Sequence, residues 1–150
     1  MLRSMGVPCL IHQPRYHMFD RWIEKDLLST CVDEGIGIIA FMPLAQGLLT
    51  NRYLGGIPSD SRAASASPFL KIDQVTPEIL DKVTDLAAVA NDRGQTLAQM
   101  AIAWTLRDAR VTSTLIGASK PKQITENVAA VAKTNFSAEE LDRIEAILAS

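Results

Sequence analysis

The sequence predicts an α/β fold, and three observations predict it. Short apolar runs alternate with segments of helical periodicity, in the order strand, helix, strand, loop, two helices, strand, two helices. That alternation implies parallel pairing of the strands. The middle run, IGIIAF at 36–41, is apolar on both faces, as strands of a buried parallel sheet are. Only three such runs occur, and the first two want a neighbour on each side, so the chain reads as part of a larger fold.

Each element has its own signal. Residues 7–13 (VPCLIHQ) form the first strand, closed by Pro14, which cannot donate to a ladder. Residues 21–34 form a helix with Trp22, Leu27, Leu28, Cys31 and Val32 apolar, and Gly35 stops it. Residues 36–41 are the second strand, and 43–47 turn away from it. A short helix is expected over 48–53. Residues 55–75, rich in Gly, Pro, Ser and Ala, form a loop long enough to be functional or mobile. Thr76-Pro77-Glu78 starts the next helix with a cap and a first-turn proline. Ile79, Leu80, Val83, Leu86, Ala87 and Ala90 give it an apolar face, and Gly94 ends it. Residues 96–107 are helical, with a capping box at Thr96 and Gln99 and a buried stripe of Leu97, Met100, Ala101 and Trp104. Ser137 and Glu140 box the last helix, whose apolar residues are Leu141, Ile144, Ile147 and Leu148.

The totals bound the function. A chain of 150 residues can bury a real core. With 47% hydrophobic and 21% charged residues it is globular. A net charge of -2 argues against non-specific nucleic-acid binding. Cys9 and Cys31 are too few for a disulfide framework or a zinc site, and read as reduced thiols of a cytosolic protein. The start lacks a small-residue cleavage site, so no signal peptide is expected, and no apolar run nears the ~20 residues of a membrane helix.

The stretch VTSTLIGASKPKQITEN at 111–127 carries the chemistry. It reads as a strand (111–116), a glycine turn (Gly117-Ala118-Ser119) and a helix over about 121–132. Gly117 is expected to turn the backbone tightly and admit a ligand. Ile124, Val128 and Val131 recur at helical spacing and are expected to face a core. The helix start offers free backbone N–H groups, with Ser119 adding a hydroxyl and Lys120 a charge. Gln123, Glu126 and Asn127 follow toward the same end, a set suited to a phosphate and a flat polar ring. Many strand–turn–helix joints bind nothing, so both readings stand on spacing alone.

Three ordered blocks, IHQPRYHMFDRW, GIGIIAFMPLAQGLLTNRY and VTSTLIGASKPKQITENV, resemble the C-terminal part of the aldo-keto reductases. The branch most alike holds the potassium-channel β subunits and bacterial reductases of glyceraldehyde 3-phosphate. The resemblance covers residues 6–149. It implies the last three units or so of a (β/α)8 TIM barrel, a partial domain over 1–150, incomplete on its own. It also implies NADP(H) as cofactor. By position, Gln13 would bond the nicotinamide carboxamide and Phe41 would stack on its ring. Pro43, Leu44, Ala45, Gln46 and Gly47 would wrap the ribose and pyrophosphate. Met42 stands where relatives often have Ser or Thr, which puts one hydrogen bond in doubt. Arg52 and Arg62 would clamp phosphates. Gly117, Ser119, Lys120, Gln123, Glu126 and Asn127 would hold the adenosine and its 2′-phosphate. Lys120 beside Ser119 favours NADP over NAD. Phe41 filling a core, and Arg52 and Arg62 as solvated loop charges, stay open as alternatives.

The family reduces carbonyls with a Tyr acid supported by Lys, Asp and usually His, and no motif here matches those. Tyr16 belongs to the QxxY block and Tyr53 to the loop, and neither is the family's acid; His12 and His17 read as structural. Part of an NADPH-dependent reductase of aldehydes and ketones is therefore one reading. A non-catalytic NADP-binding or regulatory module, and a truncated product with no function, are the others; open barrel edges would also allow self-association.

Overall fold

The computed structural model describes residues 3–59, 64 and 72–150. Its sheet is three-stranded and wholly parallel, in the order β1 (Ile11–His12), β2 (Gly37–Phe41), β3 (Ser113–Leu115). Register pairs Ile11 with Gly37, Ile39 with Ser113 and Phe41 with Leu115. Strand alternation then divides the sheet into two faces. His12, Ile38, Ala40 and Thr114 share one, where Ile38 and Ala40 are fully buried beneath helices. Ile11, Ile39, Phe41, Ser113 and Leu115 share the other, which is open: Ile11 is 57% and Leu115 47% exposed.

The helices are α1 (Leu27–Asp33), α2 (Pro77–Asp92), α3 (Leu97–Thr105), α4 (Pro121–Val128) and α5 (Ala138–Ala149). Their caps are the expected ones. Thr76 Oγ1 accepts from Ile79 N at 3.3 Å, and the Thr96/Gln99 and Ser137/Glu140 boxes both form. The core gathers Val83, Leu86, Leu97, Met100, Trp104 and Ile144 with Ile38 and Leu49.

Several expectations are corrected. The first strand is only Ile11–His12, because Pro8 and Pro14 flank it and neither can donate to a ladder. The helix expected over 21–34 breaks into a 3-10 turn, Trp22–Glu24, and α1, which begins after Asp26 at φ -136°. Trp22 and Val32, placed on its apolar face, are 57% and 53% exposed. The helix expected over 48–53 is one 3-10 turn, Asn51–Tyr53. Helix α4 ends at Val128 and continues as a 3-10 segment, Ala129–Lys133. Ile124, Val128 and Val131 do not face a core; they are 51–60% exposed. The inward side of this segment carries Asn127 and Ala130 instead. Glu126 O there accepts from Gln99 Nε2 of α3 at 2.9 Å. β2, read as apolar on both faces, has one buried and one half-exposed face.

Two polar knots hold the helices. Arg93, 3% exposed, closes α2 against the turn before α5. Tyr16, Glu24 and Arg107 form the second against Trp104. His17 lies in the same region, 8% exposed, with Nδ1 unpartnered among the described residues. Burial lowers its pKa from 6.5 to about 4, with Arg15 adding to the shift and Asp20 opposing it. The unfolded chain protonates His17 below pH 6.5 while the folded chain resists, so stability falls as pH drops from 6.5 toward 4 and is flat above. Urea unfolding of His17→Gln should lose about 2 kcal/mol less than wild type between pH 7.5 and 4.5. Equal losses would show that His17 is protonated in the fold.

Candidate functional site

The carboxyl ends of parallel strands are where open α/β sheets and barrels bind ligands. Here those ends bring the sequence-predicted residues together. Phe41 N donates to Pro14 O at 3.0 Å, and Tyr16 N donates to Phe41 O at 3.3 Å, which stitches the segment after β1 to the last residue of β2. Phe41 pairs with Leu115, two residues before Gly117. Gln13 is exposed, and alternation sets it on the open face with Ile11 and Phe41. Phe41 is half-buried on that face, opposite the helix-covered core.

Residues 42–47 are the most strained backbone in the described chain. Met42, Ala45 and Gln46 all adopt left-handed φ, at 61°, 45° and 60°, and Gly47 follows at 103°. Non-glycine residues pay for that conformation, and it concentrates at ligand clamps. Ala45 N bonds Met42 O at 2.9 Å, Gly47 N bonds Leu44 O at 2.8 Å, and Thr50 Oγ1 donates to Gly47 O at 2.6 Å, folding the loop on itself. Pro43 and Ala45 are buried, while Leu44 and Gln46 are half-buried. Nothing in the spacing of MPLAQG signals three left-handed residues, because none of them is Gly or Asn. Arg52 follows on the exposed 3-10 turn. Arg62 lies outside the described residues, as does much of the loop at 55–75.

The third group is at α4. Gln123 Oε1 accepts from Ser119 N at 2.8 Å, Ser119 Oγ at 3.1 Å and Lys120 N at 3.1 Å. The donors expected to bind an anion thus converge on one point. Gly117 does not have left-handed backbone, so the turn does not require glycine there; it lies in open space, with nothing within 4 Å of a built Cβ. Asn127, one turn beyond Gln123 on the same side, is 7% exposed. A largely buried carboxamide, which both donates and accepts, fits a ring with polar edges. Glu126 departs from this set: it is exposed, and its carboxylate meets Lys122 at 3.6 Å.

Tyr16 is fully buried; its hydroxyl donates to Glu24 at 2.6 Å and accepts from Arg107 at 2.8 Å. Burial pushes its phenol up, against the lowering charge of Arg107. Tyr53 is 1% exposed. No cluster of potential metal ligands occurs among the described residues, and no helix there is long and apolar enough to cross a membrane. A recess of about 610 Å³ lined by Arg107, Asp108, Asn135 and Phe136 lies at the other end of β3. The candidate site is an open face rather than a closed cavity.

The family model described as the aldo/keto reductase family matches residues 1–149. L-glyceraldehyde 3-phosphate reductase of Escherichia coli (strain K12) is 47% identical over 97% of this chain and 43% of that protein. A putative voltage-gated potassium channel subunit beta of Schizosaccharomyces pombe is 42% identical over 79% of this chain and 36% of its own length. Among solved structures, a glycerol dehydrogenase from Gluconobacter oxydans superposes with a TM-score of 0.78 at 28% identity, covering 97% of this chain and 44% of its own. The chain spans less than half the length of these relatives, as three of eight barrel units do.

Proposed function

Because the chain belongs to the aldo/keto reductase family, we propose that it supplies the cofactor-holding part of an NADPH-dependent reductase of aldehydes and ketones in the cytosol. One observation carries the reading: Ser119 N, Ser119 Oγ and Lys120 N converge within 3.1 Å of one acceptor, at the strand ends that also carry Gln13 and Phe41. When bound, the cofactor supplies the hydride. Gln13 orients its carboxamide and Phe41 backs its ring. The 42–47 loop excludes water from the ribose and pyrophosphate. Ser119 and Lys120 take the 2′-phosphate, and Asn127 meets the adenine edge. Neither tyrosine is offered as proton donor, since Tyr16 is committed to Glu24 and Arg107 and Tyr53 is buried.

The naming of the Schizosaccharomyces pombe relative as a channel β subunit favours a second reading, a nucleotide-binding module that acts through a partner. In either, the open sheet face and the exposed stripe Ile124, Val128 and Val131 accept further strands and helices, or a second copy of the chain.

Titrating the chain with NADPH, with NADH as control, tests the reading. Lys120→Ala should weaken NADPH at least tenfold, the worth of one charge-assisted phosphate contact, and leave NADH nearly unchanged. Equal loss for both cofactors, or none, counts against a 2′-phosphate at Lys120. Repeating the titration at two chain concentrations reads self-association, because a copy packed on the open face would lower apparent affinity as concentration rises.

A further inference from the structure

The loop after β2 has a fixed entrance and a fixed exit. Phe41 is held in the sheet by its pairing with Leu115, and Leu48 and Leu49 are buried in the core, Leu49 fully. Between them Met42, Ala45 and Gln46 take left-handed φ, a backbone that non-glycine residues adopt at a cost. Such a shape persists only where its surroundings restrain it. The strained run closes on Gly47, and the restraint there is Thr50. Its half-buried Oγ1 donates to Gly47 O at 2.6 Å and accepts from Arg52 N at 3.2 Å, so one hydroxyl ties the loop to the 3-10 turn Asn51–Tyr53. The Tyr53 ring of the same turn lies behind Gly47, with Cε2 3.8 Å from where a Cβ would stand. The backbone bonds from Leu48 N and Leu49 N go to Ala45 O and Leu44 O; Gly47 O is gripped by a side chain.

We propose that Thr50 is a positioning residue for the cofactor: its hydroxyl latches the 42–47 loop in the shape that receives the ribose and pyrophosphate. The proposal rests on the reading of that loop as part of the cofactor site. Thr50 acts through the loop and not by contact, because its one hydroxyl hydrogen is donated to Gly47 O. Without the latch the strained shape is one of several. A ligand that needs it then binds more weakly, by the fraction of chains that still hold it. A ligand that leaves the loop untouched binds as before. That difference separates a latch from a general loss of structure.

The test compares wild type with Thr50→Val, which keeps the branched shape without the hydroxyl, and Thr50→Ser, which keeps the hydroxyl. NADPH and NADH binding is followed by cofactor fluorescence. Adenosine 2′-monophosphate, which has neither pyrophosphate nor nicotinamide ribose, is followed by its displacement of NADPH. Thr50→Val should weaken NADPH and NADH alike, about fivefold, the worth of one hydrogen bond. Adenosine 2′-monophosphate should bind as it does to wild type, and Thr50→Ser should restore both cofactors. Unaltered NADPH binding by Thr50→Val overturns the latch, as does a serine variant no better than valine. An equal weakening of adenosine 2′-monophosphate, or a valine variant that does not fold, overturns it too, since either places the hydroxyl in the fold as a whole. In all of these cases wild type still binds NADPH, and the cofactor reading stands. A wild-type chain that binds neither cofactor overturns that reading and the latch with it.

Discussion

Arg93→Met is expected to cost the folded chain about 3 kcal/mol, measured as a lowered urea midpoint with an unchanged slope. The Arg93 side chain is 1% exposed and is held on several sides. Its Nη2 donates to Lys133 O and Asn135 O at 3.1 Å, and Nε donates to Gln95 Oε1 at 2.9 Å. Its guanidinium pairs with Glu140 and lies 3.6 Å from the centre of the Phe136 ring. Methionine fills the volume but leaves two inward carbonyls and a partly buried carboxylate without their donor. The value is at the low end for a broken buried pair because Glu140 is 30% exposed and keeps its bond from Ser137 N at 2.7 Å. Arg93→Lys should recover little, since an ammonium cannot reproduce the fork that reaches two carbonyls and a carboxylate at once. A loss under 1 kcal/mol for Arg93→Met would mean that the turn before α5 is held by α5 packing alone.

The role of Arg93 shows which part of this fold was legible. Gly94 marks the end of α2 and Ser137-x-x-Glu140 the start of α5, because both signals are local and act through the backbone within one turn. That Arg93 joins those two ends across some forty residues is invisible in local spacing. The same limit explains α4. Its apolar stripe of Ile124, Val128 and Val131 is a true helical stripe, but periodicity says only that a face is apolar and not what covers it. The candidate site divides in the same way. Gln13, Phe41 and Gly117 were legible because strand ends and a resemblance of ordered blocks locate them. The left-handed Met42, Ala45 and Gln46 were not, since tertiary context imposes that backbone on residues that do not prefer it. Gln123 was legible as a polar residue near the turn, but not as the acceptor that fills it.

Trp104→Ala is expected to have the largest effect, about 4 kcal/mol, against a total stability of about 5–15 kcal/mol for a domain of this kind. Trp104 is fully buried, and its ring is the floor of the second knot. The Arg107 guanidinium stacks 3.6 Å from its centre, Arg21 lies over it at 5.3 Å, and the Tyr16 ring is tilted against it at 5.3 Å. Above that floor Arg107 donates to Tyr16 OH at 2.8 Å and to Glu24 Oε1 at 2.9 Å, while Arg21 grips the other Glu24 oxygen at 2.6 Å and reaches Glu145 on α5. Alanine removes the contact area and leaves two guanidinium groups without the ring they cover. Trp104→Phe should cost much less, because the indole Nε1 has no hydrogen-bond partner among the described residues, so no bond is lost with it. The damage should also reach the candidate site. Tyr16 N is bonded to Phe41 O, so a loosened Tyr16 frees the last residue of β2, and Trp104→Ala should weaken NADPH even where it is still folded. Trp104→Phe should keep wild-type affinity. If Trp104→Ala lowers stability without touching affinity at low temperature, the knot supports the helices and the strand ends hold the site unaided.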